Sequence, residues 1–249
     1  MNAIAQFFRH LYQTTGINLT IFYDPFDRAR FLHGLEITIE LSVITILASI
    51  FIGVVGAWLQ GSRLVWTRRI VQGYIQVFRN TPPLVQLYFF YFGLSVLLPT
   101  VKTQFGTSAP LIGGFAWVCI SLSFFAGAFN VEIFRSGIEA VPHATHEAAD
   151  ALGYTRLKAY VFIILPLAFR VCLPALNNNL VNLIKTTTLA YAVAVPELLY
   201  VSAQIWSDEV NVPEMMVVLL IVYVGLVGLL VWFMHKLEHA LRLPGYTRV

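Results

Sequence analysis

Residues 147 to 166 read EAADALGYTRLKAYVFIILP. The stretch opens on Glu147, Ala148 and Ala149, reaches Gly153 after three residues, and after a further nine ends on Ile163, Leu165 and Pro166. Small residues at 148, 149 and 151 give a helix a smooth face. Gly153 permits an abrupt stop, and Pro166 bends or starts the helix that follows. The stretch is a docking elbow in a polar connection between apolar spans, shaped as a cytoplasmic handle by which another protein grips a membrane protein.

What flanks the elbow is apolar. With 58% hydrophobic residues, 12% charged and a mean hydropathy of +0.73, a chain of 249 residues carries more apolar surface than a soluble domain can bury. Composition therefore predicts an all-α integral membrane protein. The length suits about five or six spans of roughly 20 residues and leaves no room for a separate soluble domain. Apolar segments fall at about 37–60, 70–98, 111–137, 159–184 and 212–235, with a shorter piece near 189–206, which makes five transmembrane helices.

Charge orients them. Arg63, Arg68 and Arg69 follow the first span, Arg156 and Lys158 lie in the elbow, and Lys236, Arg242 and Arg248 close the chain, so these regions are cytoplasmic by the positive-inside rule. Residues 99–110, with only Lys102, and the connection holding Asp208, Glu209 and Glu214 then face outward. The N-terminus is out and the C-terminus in. Residues 1–36 form a periplasmic or interfacial segment, where Phe7, Phe8, Leu11, Tyr12, Ile21, Phe22 and Tyr23 lie along the membrane surface. Residues 37–249 form the transmembrane domain, with the cytoplasmic loop at about 139–158. Arg28 and Arg30 run against this orientation, since the neighbouring acids count for little in the rule.

Several functions are excluded. A net charge of +3, with basic residues spread over membrane edges, gives no support to a nucleic acid partner. Cys119 and Cys172 sit in apolar stretches without metal-ligand spacing and read as buried small residues. His143 and His146 fall on a solvated face, so no metal site is expected. No G-x-x-x-x-G-K-[ST] occurs, so the chain does not bind and hydrolyse ATP by that route. It is read as no enzyme and as binding no cofactor itself, and its energy must come from a partner.

Two polar groups interrupt the spans. Pro82 and Pro83 break a helix, so one helix should end before Asn80 and another begin after Leu84. Backbone groups freed there must face protein or water, which suits a hinge lining a path; direct substrate contact by Asn80, Thr81 or Gln86 is the other reading. The second group is Asn177, Asn178, Asn179, Asn182, Lys185, Thr186, Thr187 and Thr188. Asn178, Asn182 and Lys185 recur at helical spacing and share one face. Lys185 there suits a substrate carboxylate, and the alternative is a lysine that snorkels to the interface or pairs with Glu197.

The pattern Glu147-Ala148-Ala149, three residues, Gly153, nine residues, Ile163, one residue, Leu165-Pro166 resembles the EAA loop of ABC importer permeases. The blocks Phe78 to Gln86, Glu132 to Ile138, Asn182 to Ala190 and Val195 to Leu198 are similar to those of the polar amino acid subfamily, the permeases for histidine, glutamine and glutamate. The resemblance spans roughly residues 30 to 245. It implies the type I ABC importer permease fold, multi-pass in a bacterial inner membrane. It implies two ATPase subunits that carry the ATP and magnesium, a second permease identical or related to this one, and a periplasmic or surface binding protein that delivers the amino acid. Glu147, Ala148, Ala149, Gly153, Ile163, Leu165 and Pro166 would couple to the ATPase, and Asn80, Thr81, Gln86, Asn178, Asn182, Lys185, Thr186 and Glu197 would line the substrate path.

In that subfamily an acidic or amide residue often follows the lysine. Thr186 stands there instead, which favours acidic or neutral substrates such as glutamate, aspartate or glutamine. The ending Arg242-Leu243-Pro244-Gly245 also resembles glutamate and aspartate permeases. The competing class is a stand-alone secondary transporter or channel coupled through Lys185 and Glu197.

Overall fold

In hydrocarbon a backbone must satisfy its own N–H and C=O groups, and these apolar runs do so by winding into helices. The structure, a computed structural model, describes residues 3–102 and 108–241. In chain order the helices are α1 (Ala3–Thr15), α2 (Thr20–Tyr23), α3 (Pro25–Gln60), α4 (Val65–Asn80), α5 (Pro83–Tyr88), α6 (Gly114–Glu139), α7 (His143–Ala151), α8 (Arg156–Ala159), α9 (Leu165–Thr186), α10 (Leu198–Glu209) and α11 (Val212–Ala240). A π-helical stretch, Tyr160–Ile164, joins α8 to α9, and the 3-10 turn Thr187–Val193 follows α9.

Among the described residues, four helical stretches are long and apolar enough to cross a membrane: Pro25–Gln60, Gly114–Glu139, Arg156–Val193 and Val212–Ala240. A shorter apolar helix, Pro83–Leu97, takes the place of the second span. Segment 70–98 is therefore not one span. Its first part belongs to α4, which is amphipathic and buries Val71 and Ile75 while Ile70 and Val77 stay exposed. The stretch 99–110 holds an element the sequence reading lacks, an antiparallel pair of β1 (Thr100–Lys102) and β2 (Ser108–Pro110) with Val101 opposite Ala109. Helix α3 begins well before residue 37: its 36 residues rise roughly 54 Å, beyond the ~30 Å of hydrocarbon. Arg242, Arg248 and the tail motif Arg242 to Gly245 lie outside the described residues.

The chain forms two compact units. One comprises residues 1–44, 87–119 and 184–228. Its core gathers Phe31 of α3, Leu198, Val201 and Ile205 of α10, and Met215, Val218 and Leu219 of α11. Beside it, Asn211 Nδ2 donates to the Asn18 carbonyl at 2.9 Å, and Arg30 bridges Asp27 at 3.4 Å and Asp208 at 2.9 Å. Arg30, which ran against the positive-inside rule, is thus neutralised locally.

The other unit comprises residues 45–86, 120–183 and 229–249. Its core packs Ala57, Phe134, Cys172, Leu173, Leu176, Leu180 and Met234. Small residues set the helix spacing. A Cβ on Gly53 of α3 would stand 2.5 Å from the Asn130 Cβ of α6, and one on Gly127 would stand 2.7 Å from Ile52 Cγ2. Close backbones of this kind are how membrane helices pack without a hydrophobic drive between them. Across that contact Asn179 Nδ2 donates to Asn130 Oδ1 at 2.8 Å and to the Ala126 carbonyl at 3.1 Å, and Asn130 Nδ2 donates to Ser49 Oγ at 3.2 Å. Both cysteines are buried and unbridged.

Candidate functional site

Helix α7 opens after Pro142, whose missing N–H costs nothing at a helix start. It ends as the sequence demands. Leu152 is the C-cap, and Gly153 takes φ +78°, a left-handed conformation that glycine adopts without a Cβ penalty. The Tyr154 N–H donates to the Ala149 carbonyl at 3.1 Å and the Gly153 N–H to the Asp150 carbonyl at 3.0 Å, the two bonds of a Schellman ending.

The elbow is anchored on one side and bare on the other. Ala149 is the buried residue of α7, while Glu147, Ala148, Leu152 and Gly153 are exposed. Leu152 is 75% exposed. His143 Nδ1 lies 3.2 Å from Glu147 Oε1 across one helical turn. Beyond the turn, the Arg156 guanidinium donates to the Gly61 carbonyl and the Tyr160 hydroxyl donates to the Val54 carbonyl at 2.9 Å. Ile163 packs with Ile164, Ala168 and Val141, Leu165 packs against the core cluster of this unit, and Pro166 is exposed at the start of α9. A rigid root thus carries an uncovered face of small side chains and one large apolar one.

At the double proline, α4 stops at Asn80 and α5 starts at Pro83, within two residues of the expected bounds. The broken end is closed by side chains. Gln86 is 7% exposed, and its Nε2 donates to the Phe78 carbonyl at 2.9 Å, the Thr81 carbonyl at 3.0 Å and Thr81 Oγ1 at 2.7 Å. Thr81 Oγ1 donates to the Val77 carbonyl at 2.7 Å, and Asn80 Nδ2 to the Gln76 carbonyl at 2.8 Å. Gln86 thereby gives the Phe78 carbonyl the donor that Pro82, four residues on, lacks, and the other bonds cap the last carbonyls around the break.

Next to the break stands a charge network that sequence reasoning missed. Arg79 lies 3.7 Å from Glu132, which also meets Arg135 at 3.2 Å, and Arg135 meets Glu139 at 2.7 Å. The Arg79 guanidinium sits 5.2 Å over the Phe129 ring. The signal was available, because opposite charges in two separate apolar segments are expensive alone and so predict each other as partners.

Helix α9 divides its polar residues between two faces. Asn179 points into the packed unit, as described above, whereas Asn178, Asn182 and Lys185 are exposed on a neighbouring face at helical spacing. Among the described residues, none of these three side chains has a hydrogen-bond or ion-pair partner. Thr186 is half-buried beside them.

Glu197 does not join Lys185. Wholly buried, it caps α10: Oε1 accepts the Tyr200 N–H at 2.8 Å, Oε2 accepts the Leu199 N–H at 2.9 Å, and the Tyr223 hydroxyl donates to Oε2 at 3.2 Å. The third amide of that turn, Leu198 N–H, donates to Thr38 Oγ1 at 3.0 Å. The Lys185–Glu197 pair, offered as an alternative role for the lysine, is absent among the described residues, where the helix terminus engages both carboxylate oxygens. Those residues also hold no cluster of metal-ligating side chains.

Comparison with known proteins follows the same residues. Residues 49–243 match a family described as "Binding-protein-dependent transport system inner membrane component". The octopine transport system permease protein OccM of Rhizobium radiobacter is 31% identical over 198 residues, covering 76% of this chain and 80% of that one. The histidine/lysine/arginine/ornithine transport system permease protein HisQ of Escherichia coli is 33% identical over 162 residues, 64% of this chain and 69% of that one. The crystal structure of an amino acid ABC transporter with histidines superposes with a TM-score of 0.71 at 27% identity, covering 86% of this chain and 94% of that one. The inward-facing methionine ABC transporter MetNI shares the fold, with a TM-score of 0.68 at 19% identity over 88% of this chain and 99% of that one.

Proposed function

The chain belongs to the family of binding-protein-dependent transport system inner membrane components, and from that premise we propose that it is the permease subunit of an ATP-driven importer of polar amino acids. The observation that carries the proposal is the elbow: a helix with an exposed face of small residues, ended by a left-handed glycine and rooted through Arg156 and Tyr160. Such a face accepts the groove of an ATPase subunit closely, and Leu152 supplies one apolar anchor. Glu147 lies at its rim, available to a basic residue of the partner.

Two ATPase subunits would bind the ATP and magnesium, one beneath this chain and one beneath a second permease, identical or related. A binding protein would deliver the amino acid at the outer face of a bacterial inner membrane, with the N-terminus of this chain out and its C-terminus in. The break at Pro82-Pro83 acts as a hinge in this reading. Asn80, Thr81 and Gln86 keep its backbone satisfied, and the Arg79–Glu132 pair steadies it.

The face of Asn178, Asn182 and Lys185 is the substrate path. An unpartnered ammonium suits a carboxylate and two amides suit polar groups of the cargo. No acid follows Lys185, so the cargo is acidic or neutral: glutamate, aspartate or glutamine. Relatives named for octopine and for histidine, lysine, arginine and ornithine mark the breadth from which that choice is made. The secondary-transporter reading loses its coupling pair, since Glu197 is a helix cap.

The test reconstitutes the chain with its ATPase, companion permease and binding protein in liposomes and measures amino acid uptake and stimulated ATP hydrolysis. Glutamate, aspartate or glutamine should stimulate both, and Lys185→Met should lower their uptake tenfold or more, the loss of one charge-assisted hydrogen bond of about 1.5–3 kcal/mol. Uptake of every amino acid unchanged in Lys185→Met removes the anchor; stimulation by lysine and arginine alone overturns the cargo.

A further inference from the structure

Helix α1 keeps little of its apolar surface against protein. Only Ala5 is buried, while Ile4 and Phe7 are 63% and 62% exposed. With α2, α3 and α11 it borders an apolar groove of about 730 Å³. One wall carries Phe8 stacked on Phe22 at 4.3 Å, and the other carries Val217 and Ile221 of α11, themselves 57% and 64% exposed. In a membrane such a groove is filled by apolar matter, and the chemistry of its lining says which.

Two charged residues line the groove, Arg28 and Glu214. They do not pair with each other, and among the described residues the Arg28 guanidinium has no partner; its backbone N–H alone is engaged, with the Asp24 carbonyl at 3.1 Å. The neighbouring charges are committed elsewhere, Arg30 to Asp27 and Asp208. Glu214 Oε1 accepts the Asn18 N–H at 3.0 Å, which leaves Oε2 available. An unpaired cation and a half-used carboxylate over an apolar floor complement a molecule with an anion, a hydrogen-bonding cation and a hydrocarbon chain.

We propose that this groove is a binding site for a single phospholipid with a phosphate and a primary ammonium in its headgroup, the chain lying along Val217 and Ile221, the phosphate at Arg28 and the ammonium at Glu214. A purely anionic headgroup would leave Glu214 opposing it. A quaternary ammonium would offer Glu214 no N–H. An apolar protein helix would cover the floor but leave both charges unpaired in a dry interface.

Native mass spectrometry of the detergent-purified permease with its partner subunits tests the site, titrated with phosphatidylethanolamine, phosphatidylcholine or phosphatidylglycerol of the same chains. The wild type should retain phosphatidylethanolamine two- to fivefold better than the other two, the range of one exposed ion pair. Glu214→Gln, which preserves the acceptor for Asn18, should erase the advantage over phosphatidylcholine, and Arg28→Gln should weaken all three. Ile221→Trp should expel the lipid while Val224→Trp, exposed on the same helix but outside the groove, should not; thermal melts of all variants keep misfolding apart from lost binding. Equal retention of the three lipids by the wild type, or retention unaffected by Ile221→Trp, overturns the proposal. So does a photo-crosslinker at 221 that captures a protein subunit in place of lipid. The readout is bound lipid, so its failure is distinct from failure of the transport reading.

Discussion

Glu197 shows how a carboxylate can lie wholly buried in a membrane protein and still be structural. The first amides of α10 have no helical partners, and the carboxylate accepts two of them while Thr38 accepts a third. Removing the side chain leaves two buried N–H groups unmatched. Glu197→Ala should therefore lower stability by about 2 kcal/mol, whereas Glu197→Gln, which keeps one accepting oxygen, should lose about 1 kcal/mol or less. Thermal denaturation of the detergent-solubilised protein reads the difference. Equal losses for the two variants would shift the role from capping to charge. Neither variant should alter the ranking of substrates, since Glu197 does not face Lys185.

At the scale of elements, the same logic makes the α7 turn fragile in one specific place. Gly153 at φ +78° has nothing within 4 Å of where a Cβ would stand, so the cost of a side chain there is conformational and not steric crowding. Leucine in that region costs about 1–2 kcal/mol, enough to unwind one exposed turn, while asparagine tolerates it. Gly153→Leu should thus release ATP hydrolysis from uptake in the reconstituted complex, and Gly153→Asn should keep them coupled; tight coupling in Gly153→Leu would remove the docking role from the elbow. The end of helix α7 was legible in the sequence because Gly153 is a local signal that tertiary structure does not override. The break at Pro82-Pro83 was legible for the same reason. Averaged hydropathy misread what precedes it: Val71, Ile75 and Phe78 lengthen an apolar count, yet α4 is amphipathic and carries Gln72, Gln76 and Arg79 on its remaining surface. The partners of Gln86 and Glu197 were not legible, because each is fixed by a fold contact or a cap that spacing alone does not encode.

For the whole molecule, the deciding feature is what one chain leaves unsatisfied. Asn178, Asn182 and Lys185 stack along an exposed face of α9, a helix within a membrane-crossing stretch of 38 residues. Each unmatched polar group in hydrocarbon costs several kcal/mol, so a lone copy surrounded by lipid is not the working state. The face requires water, cargo or a second permease against it. In the assembled complex, Asn182→Cys should react with a membrane-impermeant maleimide, because a path that carries amino acids is wet. Leu220→Cys, on the exposed apolar side of α11, should stay unlabelled. The native thiols Cys119 and Cys172 are buried and give little background. If Asn182→Cys and Leu220→Cys are equally protected, the polar face of α9 is sealed against protein and the path runs elsewhere. If Asn182→Cys is labelled and a saturating amount of the transported amino acid slows that labelling, the face that one chain leaves open is where the cargo passes.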